Sequence, residues 1–236
     1  ICKVKDKESG KPMLDLVLDK AGQKGTGKWT AQVALDLGVA VPTIAAAIDA
    51  RVLSSMKDER VAASGKIKGP SADKPKGDRA KLVKDVHDAL LASTIAAYAQ
   101  GMSLLRVAST VYKWDINLAE LGRIWRAGCI IRARLLSPIQ AAFERDKNLP
   151  NLLLDPELGG NVAELQRGWR DVVCLATNMG IPVPAFATAL SYFDSYRTAN
   201  LPQSMTQAQR DAFGAHTYER TDHPERGFVH TEWLQG

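Results

Sequence analysis

Two lysines, two threonines and two glycines fall within seven residues, Lys24-Gly25-Thr26-Gly27-Lys28-Trp29-Thr30, a composition suited to holding an anion. Glycine allows backbone N–H groups to turn inward and approach a ligand closely, while lysine adds charge and threonine a hydroxyl. A phosphorylated ligand is what such a turn serves. The stretch Gly22-Gln23-Lys24-Gly25-Thr26-Gly27-Lys28 comes close to the P-loop, but that motif needs Ser or Thr directly after the lysine to hold magnesium. Trp29 stands there, and Thr30 comes one position late. Met13 to Lys20 lacks a clean strand alternation, and the run Leu152-Leu153-Leu154-Asp155, a candidate second nucleotide motif, is followed at once by Pro156. These departures set nucleoside-triphosphate hydrolysis aside.

Arg51 is the next residue of interest. Ile44, Ile48, Arg51 and Ser55 are spaced four, three and four apart, so one helical stripe carries them and the guanidinium is expected to face inward. A buried charge needs a partner, and the planar fork suits a carboxylate from another helix or a bound anion equally. Arg210 and His216 form a third pair, six residues apart on either side of a helix stop at Gly214, and both could point outward; a lone arginine on a short helix is ordinarily solvated. Trp125, Trp169, Tyr192 and Phe193 read as core aromatics, and Cys129 and Cys174 as inert thiols in apolar surroundings. No Ser-His-Asp arrangement, GxSxG elbow or HExxH motif is present.

Helical periodicity positions these residues, and the sequence predicts an all-α fold. Thr30 caps a helix ending near Gly38, and Pro42 opens one running to about Ser64. A loop from Gly65 to Gly77 follows. Asp78 caps a helix to about Gly101, and Met102 to Trp114 continues as a further helix or a bent extension. Asp115 caps Ile116 to Arg126, and Ile130 to Lys147 carries a kink at Pro138. Asn148 to Gly160 reads as a loop, Asn161 to Asn178, Ala185 to Arg197 and Ser204 to Phe213 as helices, and the last residues as an extended tail. The helical domain therefore spans residues 1–213 and the tail 214–236.

Composition bounds the partners. The 236 residues, 45% hydrophobic and 24% charged, can bury a substantial core. The net charge of +5 attracts anions generally, but the densest basic run, Lys66, Lys68, Lys74 and Lys76, contains no aromatic residue and is broken by glycine and proline, so it reads as a solvated loop and no nucleic-acid partner is expected. The longest apolar stretch, Val33 to Ile48, is interrupted by Asp36 and Pro42, so no membrane segment is expected. Three scattered cysteines without a CxxC pair fit a reducing cytoplasm. His87, His216, His223 and His230 form no zinc motif, so no metal is expected. The chain opens on Ile1 with a charged segment, Lys3 to Lys11, that reads as the continuation of a longer polypeptide.

Taken together, Gly22 to Thr30, Ser54 to Val61, Ala127-Gly128-Cys129-Ile130-Ile131-Arg132, Asn151 to Leu154, Gly180-Ile181-Pro182-Val183-Pro184, Gln207 to Asp211, Phe213 to Tyr218 and His230-Thr231-Glu232-Trp233 resemble the 6-phosphogluconate dehydrogenase family. The resemblance runs from about Ala21 to the end. It implies an NADP-dependent oxidative decarboxylation of 6-phosphogluconate to ribulose 5-phosphate and carbon dioxide. This chain resembles the large helical C-terminal domain, with NADP held mainly by an N-terminal domain and no catalytic residue carried here, so the chain alone should not catalyse. By motif, Lys24 and Arg51 would neutralise the sugar phosphate, Thr26 would hydrogen-bond it, and Arg210 and His216 would be inserted into the neighbouring subunit of a homodimer. The resemblance departs at Ala212, where the family usually has tyrosine. The other expectation is a free-standing helical dimerisation or sugar-phosphate-binding protein without catalysis.

Overall fold

The longest helix organises the chain. In the computed structural model, which describes residues 1–70, 75 and 77–233, nine α-helices are formed among the described residues. Lys74 and Lys76 of the basic run lie outside them. The chain divides into two compact units, Ile1–Phe193 and Asp194–Gly236.

In the first unit, α1 (Thr26–Asp36) and α2 (Pro42–Ser55) are followed by α3 (Lys57–Ser64) and then by α4 (Arg79–Tyr112). Asp78 caps α4 as the sequence predicts, accepting from the Ala80 N–H at 2.8 Å. The expected interruption at Gly101 does not occur. A glycine within a helix costs about 1 kcal/mol relative to alanine, too little to break an element whose flanks are locked by packing. Ala89, Ala92, Ala96 and Ala99 recur at spacings of three and four on one face of α4 and are fully buried. With only methyl side chains at these four positions, α7 (Pro156–Asn178) lies close against α4, bringing Leu158, Val162 and Trp169 into the same core. The indole N–H of Trp169 donates to the Phe186 carbonyl at 3.1 Å, which anchors α8 (Pro184–Tyr196) on the core.

Several boundaries differ from the sequence reading, each for a local reason. The long Pro42 helix is two helices, broken at Met56, whose ψ of 47° is not helical. The segment predicted as a loop up to Gly160 already turns helical at Pro156. The Asp155 carboxylate accepts from the Glu157 and Leu158 N–H groups at 3.1 and 3.0 Å, with proline at the favoured first position. Asp155 is buried and paired with Arg145, whose Nη2 donates to it at 2.7 Å. The Leu-Leu-Leu-Asp run is thus a helix start. Asn117, not Asp115, caps α5 (Leu118–Ile124), accepting from Glu120 N–H at 3.1 Å. Residues 126–135 are turns, and α6 (Leu136–Arg145) begins late, so Pro138 falls in its first turn and kinks nothing.

The far end of α4 supports α1 and α2. Leu104 packs with Ala34 of α1 and Val41 in a small second core. Beside it the fully buried Gln100 donates from Nε2 to Thr43 Oγ1 at 2.8 Å and accepts from the Thr43 N–H at 3.0 Å. That N–H is one of the donors left over at the start of α2, where no local side chain caps the helix.

In the second unit, α9 (Gln203–Gly214) is followed by a short antiparallel hairpin, β1 (Tyr218–Glu219) with β2 (Phe228–Val229). The sequence predicts an extended tail here; the residues instead pair, Tyr218 opposite Val229 and Glu219 opposite Phe228.

Gln100→Leu preserves the bulk but strands the Thr43 N–H and hydroxyl. It should destabilise the protein by about 1–3 kcal/mol in chemical denaturation, whereas Gln100→Glu, which keeps an acceptor for the Thr43 N–H, should lose less at low pH, where it is neutral.

Candidate functional site

The turn Lys24 to Thr30 becomes the start of α1. Gly25, at φ 98°, occupies the left-handed region that a side chain disfavours, and it reverses the chain into the helix. No side chain caps this end. The first backbone N–H to find an acceptor belongs to Trp29, which donates to the Gly25 carbonyl at 3.0 Å. The N–H groups of Thr26, Gly27 and Lys28, at the positive end of the helix dipole, have no acceptor among the described residues. Thr30 is not the cap that the sequence predicts; it lies one turn inside and donates its hydroxyl to the Thr26 carbonyl at 2.9 Å.

Lys24, Thr26 and Lys28 are exposed, and so is Arg51. The inward stripe expected for Arg51 is therefore corrected. Ile44 and Ile48 are only half-buried and Thr43 is the one buried residue of α2, so this face turns toward α1 and solvent rather than into the core. Among the described residues, the Arg51 guanidinium has no carboxylate partner. It still lies near the turn. A Cβ on Gly27 would come within 3.2 Å of Ile48 Cγ1, so the missing side chain lets the first turn of α1 touch α2. Arg51 stands three residues beyond Ile48, about one helical turn further along the same face.

The approach to the turn is tied down by residues the sequence reading passed over. The Asp19 carboxylate accepts from Lys57 Nζ at 2.6 Å and Arg60 Nη1 at 3.0 Å, and Arg60 Nη2 donates to the carbonyls of Asp19 and Ser54 at 3.2 and 3.0 Å. Ser54 Oγ accepts from the Ala21 N–H at 2.8 Å and donates to the Arg51 carbonyl at 2.7 Å. Lys57 and Arg60 hold the Asp19 pKa at about 2. Their only sequence signal was an isolated aspartate ahead of a glycine-rich turn, with no spacing to link it to residues 38 and 41 positions later.

Alongside the uncapped end runs an apolar groove of about 710 Å³ lined by Thr26, Trp29, Val33, Met102, Trp114 and Trp125. Trp125 packs at the margin of the main core and Trp169 and Phe193 within it, as their assignment to the core requires. Cys174 is exposed and Cys129 half-buried, so the expectation of two core thiols does not hold.

In the second unit Arg210 and His216 come together. Arg210 Nη1 donates to Gln207 Oε1 at 2.9 Å, and His216 Nδ1 lies 3.1 Å from the Arg210 carbonyl. Both residues are exposed. Ala215 and Thr217, flanking the histidine, have φ of 50° and 57°. Each such residue costs about 1–2 kcal/mol, so the turn must be held. The fully buried Asp211 carboxylate holds it, accepting from the Thr217 N–H at 2.8 Å, the Thr231 N–H at 3.0 Å, Trp233 Nε1 at 2.8 Å and His230 Nδ1 at 3.0 Å. Burial alone would raise the Asp211 pKa, but the donors win, led by His230 and Trp233, and hold it well below the usual carboxylate range. The Asp211 hydrogen bond in turn raises the His230 pKa.

Exposed cations with no carboxylate partner among the described residues stand beside an uncapped helix end, an arrangement whose chemistry suits an anion. The chain belongs to the 6-phosphogluconate dehydrogenase family: the family model described as "6-phosphogluconate dehydrogenase, C-terminal domain" matches residues 1–233. It is 56% identical to the decarboxylating 6-phosphogluconate dehydrogenase of Synechocystis over 98% of the chain and 48% of that protein. It is 51% identical to the NADP(+)-dependent, decarboxylating enzyme of Bacillus subtilis, over 98% of the chain and 49% of the relative. Among solved structures, Plasmodium falciparum 6-phosphogluconate dehydrogenase, studied apo and with NADP+ or 6-phosphogluconate, superposes with a TM-score of 0.89 at 41% identity, covering 97% of this chain and 49% of that one. The chain spans about half the length of the relatives it matches.

The Asp19 tether has a defined pH window. A carboxylate whose folded pKa is about 2, against an ordinary 3.8, contributes stability that is complete above 3.8 and is lost as pH falls through 2. Protection of the Ala21 amide, taken relative to its intrinsic exchange rate, should fall over that interval, and Asp19→Asn should show the lower protection already at neutral pH.

Proposed function

We propose that this chain is the substrate-holding half of an NADP-dependent, decarboxylating 6-phosphogluconate dehydrogenase, which converts 6-phosphogluconate to ribulose 5-phosphate and carbon dioxide. The observation that carries this reading is the uncapped start of α1 between Lys24 and Lys28, with exposed Arg51 one turn from its contact with α2, in a chain that belongs to this family. A phosphate dianion would receive backbone N–H groups from the first turn of α1, the Thr26 hydroxyl, and charge-assisted bonds from Lys24 and Arg51.

The reacting carbons lie at the other end of the sugar acid. Binding energy gathered at the phosphate fixes their position and lowers the entropic part of the barrier there. NADP, when bound, accepts the hydride. The described residues form only a two-stranded antiparallel hairpin, not the parallel sheet on which a dinucleotide fingerprint is presented, so NADP is assigned mainly to a separate N-terminal domain. The acid and base of the reaction are likewise assigned to no residue here, and the chain alone is expected to be inactive.

The active protein is a homodimer in this reading. Residues 1–213 carry the substrate-binding and dimerising surfaces, and the tail 214–236, with Arg210 at its root, presents Arg210 and His216 to the partner subunit's substrate. The protein works in the reducing cytoplasm; its three cysteines are free, and no helix among the described residues is long and apolar enough to cross a membrane.

Arg51→Ala and Arg210→Ala in the complete dehydrogenase should each raise KM for 6-phosphogluconate about 10- to 100-fold, the effect of removing a hydrogen bond to a charged group. Binding of gluconate, which lacks the phosphate, should be insensitive to both. Unchanged KM in both variants would overturn the assignment.

A further inference from the structure

We infer that Asp211 is a positioning residue for Arg210 and His216: its buried carboxylate fixes the strained turn that carries the histidine and closes the end of the chain around the helix that carries the arginine. This rests on the proposed role of that pair at the substrate phosphate.

Asp211 is the last place on α9 where a carboxylate would be expected from packing alone, since it is fully buried in a unit with little apolar core. Its four donors come from two separate stretches of chain. Thr217 belongs to the turn just after the helix, while His230, Thr231 and Trp233 belong to the strand end that returns from the hairpin. A neutral side chain of the same shape could not satisfy all four, because one of its two polar atoms would itself be a donor. The carboxylate is therefore suited to gathering both stretches onto one point of the helix.

What it gathers is the pair. Thr217 follows His216 directly, and its N–H bond to Asp211 helps hold the two left-handed residues on either side of the histidine. The histidine ring rests on the helix end. A Cβ on Gly214 would meet its Cε1 at 2.8 Å, so the ring lies directly over that glycine, with Nδ1 on the Arg210 carbonyl. Gln207 completes the frame, donating from Nε2 to the Thr217 carbonyl at 2.6 Å and accepting from Arg210 Nη1 at 2.9 Å. The turn and the arginine side chain thus share one amide. Loosening Thr217 by removing the Asp211 charge should release His216 through the turn and Arg210 through Gln207.

The test is a double-mutant cycle in the complete dehydrogenase. Asp211→Asn is expected to raise KM for 6-phosphogluconate about tenfold with KM for NADP unchanged. Added to Arg210→Ala together with His216→Ala, the same substitution should raise KM less than about twofold further, because it acts through residues already removed. A purely structural role would lower the folded fraction and leave both KM values alone. An unchanged KM in Asp211→Asn, or an effect that multiplies fully with the other two, would overturn the inference while leaving the site intact. An unchanged KM in Arg210→Ala with His216→Ala would overturn the reading of the site, and the inference with it. If Asp211→Asn does not fold, Trp233→Phe removes one donor and keeps the ring; about a threefold rise in the same KM supports the inference, and no rise contradicts it.

Discussion

The close approach of α7 to the alanine face of α4 is the constraint on which the first unit depends. Four alanines leave the α4 backbone near enough for Trp169, Val162 and Leu158 to fill the space between the helices. Alanine loses no side-chain entropy on burial and is the best helix former, so the same residues that permit the approach also favour the 34-residue helix itself. Rigid through its contact with α7, α4 extends beyond it. There Leu104 and Gln100 seat the helices that carry Thr26, Lys28 and Arg51.

The site inverts the rule that governs the rest of the molecule. Buried carboxylates elsewhere are matched: Asp155 by Arg145, Asp85 by Lys81, Asp88 by Lys84, and Asp211 by four donors. Among the described residues, Lys24, Lys28 and Arg51 are exposed and have no carboxylate partner, with backbone donors uncapped beside them. Exposed lysines and arginines cost little to leave unpaired, so the protein can keep them ready for a ligand at no great loss of stability. The second unit solves a different problem. It has few apolar side chains to bury, and a single carboxylate does the organising that a core does elsewhere.

Much of this was legible in the sequence, where the signal was local. The all-α class followed from helical periodicity, and the Asp78 cap from its position before a periodic run. Failures came where tertiary partners decide. Gly101 reads as a break until the packing around it is known, and Pro156 reads as a loop residue until Asp155 is seen to be held by Arg145. Arg51 reads as inward because its stripe contains isoleucines, yet those isoleucines face α1 and not the core. Gln100, Asp19 and Asp211 carry no pattern at all: each acts on residues 57, 38 or 41, and up to 22 positions away. The role proposed for the cations as substrate ligands comes from the family resemblance, since spacing alone left Arg51 open between a carboxylate and an anion.

The most direct measurement is the amide chemical shifts of Thr26, Gly27 and Lys28 in the complete dehydrogenase, followed as 6-phosphogluconate or gluconate is added. If the uncapped end of α1 holds the phosphate, these three resonances move with 6-phosphogluconate and stay in place with gluconate at matched occupancy. Equal shifts with both sugars, or none with the phosphorylated one, would mean that the phosphate is held elsewhere.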